Sequence, residues 1–413
     1  MAAGSLPRRV RRRFSFALLA FSVFVLNAAA QETSPPDEQG LAPIELLGKR
    51  VFEDKTLSRP QGVACASCHQ AQQAYQGNNG SSIAAFARGA APNTLGKRNT
   101  PTLMYASFSP PFSFVEEKDV RTGHREMIPV GGQFFDGRAA TLTEQVEGPL
   151  FDPDEMNAAS KKDVVDAIRS GPYAELLRQV FGENIFNNYN EAFVKISQAV
   201  AAFESSSRFH PFSSKFDDYL QGKAELTPQE LKGFALFKDP KKGNCLSCHV
   251  GKETSHNPQD WLFTDYTYDA LGGPKHQLAR SGSRPDLGLC AQPDLTKKIP
   301  AQMRLDSFCG AFKVPTLRNV AKTSPYLHNG VFANLSDVVA FYATRDTQPT
   351  RWFPRNSKGS VEKFNDLPRS LRRNVNVSEI PYDRRLNQSP RLSEAEISAI
   401  TAFLATLTDR EKH

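Results

Sequence analysis

Two short stretches constrain this chain more than any others: Cys65-Ala66-Ser67-Cys68-His69 and Cys245-Leu246-Ser247-Cys248-His249. In a Cys-x-x-Cys-His segment, two thiols can add to the vinyl groups of one haem while the adjacent imidazole is set to bind the iron. The chain has six Cys and eight His in 413 residues. Chance would supply one such pattern in roughly two chains per thousand at that composition, so two copies point to two covalently attached haems c. A zinc knuckle or a dithiol redox pair also uses Cys-x-x-Cys, but neither accounts for a His directly after both pairs.

The N-terminus reads as an export signal over residues 1–30. Arg8, Arg9, Arg11, Arg12 and Arg13 form a basic region, Phe14 to Leu26 an apolar one, and Ala28-Ala29-Ala30 a small-residue cleavage site before Gln31. The apolar run is short for a membrane span, and no Cys near the cut invites lipidation. The mature protein is therefore expected to be soluble in the periplasm. Removing the signal takes five of the 51 basic residues and none of the 44 acidic ones. The basic balance thus belongs mostly to the signal and gives no support to a nucleic-acid partner. The remaining length suits two domains.

Export into an oxidising space fits the cysteine usage. Four thiols belong to the motifs, and Cys290 and Cys309 remain; they are expected to pair as a disulfide, stabilising the fold by about 3 kcal/mol in the chain-entropy view.

The surroundings of the two motifs repeat as well. GKRVFEDKTLSRPQGVACASCH and KGFALFKDPKKGNCLSCH each run from a Gly-bearing helix end through Phe-x-Asp and a turn to the attachment site. Pro101-Thr102-Leu103 recurs as Pro315-Thr316-Leu317, and Asp136 to Leu142 (DGRAATL) recurs as Asn329 to Leu335 (NGVFANL). Each half then closes with an apolar-periodic helix, through Phe193, Ile196, Val200 and Phe203 in one and Ile397, Ile400, Phe403 and Leu404 in the other. The reading is an internal duplication: a mostly α chain of two cytochrome-c-like haem domains, residues 31–220 and 221–413, with long loops and little β structure. Phe212 to Leu226 serves as linker, and Thr227-Pro228-Gln229-Glu230 is a capping box opening the second domain. The best strand signals are Gln133–Phe135 and Trp261–Tyr268. Two aperiodic stretches, Asp260–Ile299 and Arg345–Pro390, read as ordered surface loops.

A haem with one protein ligand can bind peroxide or oxygen, whereas one with two mostly passes electrons. Between His69 and Asn99 there is neither His nor Met, so the first iron is expected to keep an open position. Gln145 and Glu155 lie on TEQVEGPLFDPDEMN in the same half. A carboxyl beside bound peroxide can carry a proton from the inner to the outer oxygen and make water the leaving group; composition alone would make Glu155 part of a solvated acidic loop. At the second iron the candidates for a second ligand are Tyr326, His328 and Met303.

Taken together, CASCH at Cys65, RNTPTL at Arg98, FFDGRAATL at Phe134, PDEMN at Pro153, CLSCH at Cys245, KVPTLRNVAKTSPYLHNG at Lys313 and the closing LSEAEISAITAFLATLT resemble the bacterial di-haem cytochrome c peroxidase and MauG family, over nearly the whole mature chain. The resemblance implies a peroxidatic haem in the N-terminal half, an electron-transfer haem in the C-terminal half and a calcium ion between them. It gives Gln145 and Glu155 distal-pocket roles and Asn99 the calcium side-chain ligand. It makes Tyr326 the preferred second ligand of the C-terminal haem, in keeping with the tyrosine ligation of MauG-like proteins. Many such peroxidases carry a blocking His in the loop after the first motif. This chain has none, so reductive activation is expected to be unnecessary. A Trp usually precedes Asp-Gly-Arg between the haems; here that position is Phe135, which is much harder to oxidise.

The leading expectation is a periplasmic enzyme that reduces hydrogen peroxide at the N-terminal haem with electrons delivered through the C-terminal haem from a small cytochrome c or cupredoxin. An alternative is a MauG-like enzyme that uses peroxide to oxidise Trp side chains of a partner protein. A third is a non-catalytic di-haem electron carrier. A homodimer is left open.

Overall fold

The computed structural model describes Met1 and residues 38–118, 125–278 and 285–410; apart from Met1, the export signal expected over residues 1–30 lies outside them. Among the described residues the chain is helical with little sheet. One antiparallel hairpin pairs Ser113–Lys118 with Arg125–Val130, and a two-residue ladder pairs Tyr268–Asp269 with Phe312–Lys313. The hairpin has no clean alternation in SFVEEK and REMIPV, and nothing in the sequence reading anticipated it. The two expected strands shrink to a single bridge, Gln133 with Ala139, and to Tyr268. Left-handed backbone at Phe134 (φ 65°), Phe263 (φ 55°) and Tyr266 (φ 59°) interrupts the extended chain there.

Two helix crossings organise the rest. Helix Pro43–Glu53 packs on helix Tyr189–Glu204, and helix Pro228–Lys238 packs on helix Glu394–Ala405. Each crossing is closed by a glycine. A Cβ at Gly48 would sit 1.9 Å from the Ala199 carbonyl oxygen and 2.9 Å from Phe203 Cβ; a Cβ at Gly233 would sit 1.9 Å from the Ala399 carbonyl oxygen and 2.9 Å from Phe403 Cβ. Only glycine lets the backbones approach so closely. The helices form where apolar spacing and caps agree. The Thr227 hydroxyl accepts from the Glu230 N–H while the Glu230 carboxylate accepts from the Thr227 N–H, and Ser393 and Glu396 repeat the arrangement. Asp54 and Asp239 end the two leading helices at matched points.

The repeat extends into the loops. Thr102 Oγ1 donates to the Ala74 carbonyl at 2.5 Å and accepts from the Met104 N–H; Thr316 Oγ1 donates to the Leu262 carbonyl at 2.6 Å and accepts from the Arg318 N–H. The next residue is left-handed in both, Tyr105 at φ 60° and Asn319 at φ 62°. The bridge between Gln133 and Ala139 recurs between Tyr326 and Phe332, with left-handed Phe134 and Gly137 answered by Leu327 and Gly330.

Two large apolar clusters result. One is built around Leu47, Phe52, Val165, Ile196 and Phe203, the other around Phe216, Phe237, Trp261, Phe263 and Phe403. Arg318, fully buried, forms a two-pronged ion pair with Asp217 (2.9 and 3.0 Å) and lies over the Tyr105 and Phe212 rings, binding first-half aromatics to the second cluster. The two long stretches expected at the surface are in part interior. Trp261 is 2 % exposed, and the guanidinium of Arg345, 1 % exposed, is held by Asp346 and the Leu271 and Asn376 carbonyls. Their lack of period reflects irregular backbone wrapped around a buried Trp and a buried Arg. Cys290 and Cys309 form a disulfide with Cα atoms 4.8 Å apart. No described helix is long and apolar enough to cross a membrane.

Candidate functional site

Each Cys-x-x-Cys-His motif winds into a single turn in which the His N–H donates to the first Cys carbonyl at 2.9 Å, at His69 to Cys65 and at His249 to Cys245. The rings are then fixed from behind. Nδ1 of His69 lies 2.9 Å from the Tyr75 carbonyl oxygen, and Nδ1 of His249 lies 3.0 Å from that of Phe263. A backbone carbonyl accepts a hydrogen bond from Nδ1–H, which keeps the ring proton on Nδ1 and leaves Nε2 free as a ligand atom. Burial pushes both imidazole pKa values down to about 4, which keeps them neutral, as metal ligation requires. The thiols are pushed the other way: burial raises Cys68, Cys245 and Cys248 to about 12 and Cys65 still higher. Thiols so reluctant to ionise do not suit a dithiol exchange pair, which works through thiolate.

Both motifs open into one continuous cavity of about 1020 Å³, at the upper limit of the roughly 300–1,000 Å³ usual for a single small-molecule site. Cys65, Cys68 and His69 line it in one region and Cys245, Cys248 and His249 in another, and most of its remaining wall is apolar. Two buried polar atoms in residues lining it, Tyr266 Oη and Glu204 Oε2, have no protein partner. Paired thiols, a neutral imidazole and an apolar slot fit a haem at each motif.

Near the first motif the cavity is lined by Leu142, Gln145, Val146, Pro149 and Glu155. Helix Leu142–Gln145 is capped by the Thr141 hydroxyl, and helix Glu147–Phe151 follows after Val146 and ends at Asp152. Glu155 sits in the ensuing turn, its N–H donating to the Asp152 carbonyl and its own carbonyl accepting from Ala90 N–H. The Glu155 carboxyl is far from the solvated acid that composition suggests. Burial first, then Asp152, raises its pKa to about 7, against the pull of Arg138 and Lys97. Arg138 is itself held over the Phe134 ring at 3.4 Å and bonded to Asp136.

Near the second motif the repeat supplies a residue that the sequence reading missed. Counting on from the matched Leu142 and Leu335, the cavity-lining positions Leu142, Gln145, Val146 and Pro149 correspond to Leu335, Val338, Val339 and Tyr342, all of which also line the cavity. Tyr342 therefore stands at the position of Pro149. Burial raises its hydroxyl pKa well above the usual range, and Asp269, Cys248 and Cys245 add to the shift, which places it electrostatically beside the second attachment site. The expected Tyr326 also lines the cavity, but its hydroxyl donates to the Val320 carbonyl at 3.0 Å. His328 Nε2 is 2.9 Å from Asp366, and its ring stacks on Phe312 at 3.7 Å. Met303 does not line the cavity. The signal for Tyr342 was in the sequence: the repeat DGRAATL/NGVFANL needed extending by seven residues.

Phe135 also lines the cavity, and its carbonyl accepts from the Lys313 N–H at 2.8 Å. The Lys313 ammonium is buried and bonded to the Gly132 carbonyl and to Ser109 Oγ; burial lowers its pKa to about 8. Arg98 joins Asp136 and Asp286. The Asn99 amide faces the Pro325 and Leu327 carbonyls at 2.5 and 3.3 Å and the Gln76 amide at 3.3 Å. No group of three or more His, Cys, Asp or Glu suited to a bare metal ion occurs among the described residues.

These features agree with comparisons to known proteins. Residues 43–225 match the family model described as di-haem cytochrome c peroxidase. The chain is 32% identical over 403 residues to the methylamine utilization protein MauG of Paracoccus denitrificans, covering 95% of each chain. It is 30% identical to the cytochrome c551 peroxidase of Nitrosomonas europaea, covering 80% of this chain and 84% of that one. Among solved structures it is similar to the diheme peroxidase BthA from Burkholderia thailandensis, with a TM-score of 0.80 and 39% identity over 89% of this chain and 86% of that one. Repeat, cavity and relatives converge: the chain belongs to the di-haem cytochrome c peroxidase and MauG family of oxidoreductases.

Proposed function

We propose that this protein is a periplasmic enzyme that reduces hydrogen peroxide at a haem on Cys65, Cys68 and His69, with electrons delivered through a second haem on Cys245, Cys248 and His249. The observation that carries this reading is the asymmetry of the repeat, Pro149 at one site and Tyr342 at the other. Proline offers no ligand atom, so the first site keeps room for peroxide. A tyrosine oxygen can close the second. The same duplication supports two domains, 31–220 and 221–413, each with one haem, with Phe216 at the end of the first packed into the second cluster and Asp217 bonded to Arg318.

When bound, the haems supply the iron that accepts peroxide and carries electrons; the side chains handle protons and position. Two electrons and two protons convert hydrogen peroxide to two waters. With a pKa near 7, Glu155 can take a proton from one peroxide oxygen and return it to the other at neutral pH. Gln145, at the end of its single-turn helix, would offer its amide N–H groups to a peroxide oxygen in this part of the cavity. A calcium ion held by Asn99 would have to displace the bonds that its amide nitrogen donates to the Pro325 and Leu327 carbonyls, with the amide oxygen turned to join those two carbonyls as neutral ligands.

The electron source separates two versions. A small cytochrome c or cupredoxin would make the protein a peroxidase. Oxidation of a Trp in a partner protein would make it MauG-like, a reading favoured by the 95% coverage of the Paracoccus denitrificans protein. Phe135 argues against copying an aromatic hole-transfer route unaltered. The test is to mix fully oxidised protein with one equivalent of peroxide. Reaction without prior reduction, followed by turnover when a reduced cytochrome or cupredoxin is supplied, supports the peroxidase. A lag abolished only by adding one electron refutes the open site.

A further inference from the structure

Glu204 has no role in the reading above, yet it is a buried carboxyl in the wall of the same cavity. It closes helix Tyr189–Glu204, is 3 % exposed, and its Oε2 has no hydrogen-bond partner. A carboxyl placed so is costly unless something offsets it. The duplication shows what packing alone would put there. Since Gly48 meets Ala199 and Phe203 just as Gly233 meets Ala399 and Phe403, Val200 and Glu204 correspond to Ile400 and Leu404, and all four line the cavity. The second attachment site has a leucine where the first has an acid.

Nothing nearby explains the acid as an ion pair. On the facing helix, Lys49 bonds Glu53 at 2.7 Å. On helix Leu142–Gln145, Glu144 accepts from the Ala140 N–H. On helix Lys161–Arg169, Lys162 bonds Asp166, Asp163 takes the Ser160 hydroxyl and Arg59, and Arg169 reaches the Phe186 carbonyl; Lys161 pairs with Glu147. Glu183 lies on the adjoining turn and Arg208 just beyond the helix. Glu155 and the thiols of Cys65 and Cys68 share the cavity. None of these shifts Glu204. Burial alone raises its pKa to about 8, while Glu204 in turn acts on Cys65.

We propose that Glu204 is a proton-binding residue coupled to the oxidation state of the N-terminal haem. Where the carboxyl is ionised in the oxidised protein, it takes up one proton from solvent as the donor protein delivers one electron to that haem, and releases it when the electron leaves. Charge at the buried site is thereby balanced, and Leu404 leaves the C-terminal haem without this coupling. The inference rests on haem attachment at Cys65–His69.

The test is a spectroelectrochemical titration of the purified di-haem protein between about pH 6 and 9. In the upper part of that range, where the wild-type carboxyl is ionised in the oxidised protein, full coupling changes the reduction equilibrium of the N-terminal haem about tenfold per pH unit, about 59 mV for one electron. Glu204→Gln and Glu204→Leu should remove that slope in the upper part of the range and leave the C-terminal haem unchanged. The leucine variant installs the residue that the matching helix already accommodates, and the glutamine variant keeps the shape. A carboxyl band in the reduced-minus-oxidised infrared difference spectrum, absent in Glu204→Gln, is the second readout. An unchanged slope in the glutamine variant overturns the proposal while both haems remain attached. A wild-type protein with one haem per chain, on the second motif, would overturn the attachment reading as well.

Discussion

Glu155→Gln is the sharpest probe of the peroxide site, because its magnitude can be worked out beforehand. In water a glutamic acid loses its proton near pH 4.5; here burial, reinforced by Asp152 and Asp154 and opposed by Arg138 and Lys97, moves that point to about 7. At about 1.4 kcal/mol per pH unit, keeping the side chain ionised in place costs about 3 kcal/mol. The raised pKa fixes the direction of the pH dependence. The proton acceptor must be ionised, so the rate constant for peroxide with oxidised protein should rise about tenfold per pH unit below about 7 and level above it. An ordinary carboxylate would give a flat profile from about pH 5.5 upward. Glutamine keeps the size of the side chain and removes the titration. The variant should lose about 10²–10⁴-fold, and its residual rate should not vary with pH. Stopped-flow absorbance from about pH 5 to 9, with both haems intact, measures this. A wild-type profile without an inflection between about pH 6 and 8, or a glutamine variant within tenfold of wild type, refutes the reasoning.

Tyr342→Phe should change the absorption and electron paramagnetic resonance signals of the C-terminal haem alone, whereas Tyr326→Phe, which removes a hydroxyl already donating to the Val320 carbonyl, should leave them as they were; the reverse result would return the ligand to Tyr326. Gly48→Ala and Gly233→Ala each force a methyl against a facing carbonyl oxygen and should each cost about 1–3 kcal/mol or more in urea unfolding. A gain of the size expected for Gly to Ala in an open helix, about 1 kcal/mol, would show that the crossings are looser than described.

Much of this protein was legible without coordinates because its constraints are local. A Cys-x-x-Cys-His turn carries its attachment chemistry in five consecutive residues, and its two copies, with the matched PTL and closing-helix segments, disclosed the duplication. The capping box at Thr227 and the apolar faces of the closing helices appear where the spacing puts them. The short strands were misjudged because left-handed residues at Phe134, Phe263 and Tyr266 leave no mark in hydrophobic pattern. The paired strands Ser113–Lys118 and Arg125–Val130 lacked the alternation that announces a strand.

What the tertiary structure decided is how the two copies differ. In sequence Tyr342 is one more aromatic on a helix with a mostly buried face, and Glu204 is an acid ending an amphipathic helix. Extending the repeat along the sequence pairs Tyr342 with Pro149, and superposing one helix crossing on the other pairs Glu204 with Leu404, but only the structure sets all four in the wall of the shared cavity. The acidity of Glu155 likewise follows from burial and from Asp152, Arg138 and Lys97. The attachment motifs are set by covalent chemistry, which sequence specifies directly. Ligand choice and proton affinity depend on distance and dielectric, which arise only when residues remote along the chain are packed together.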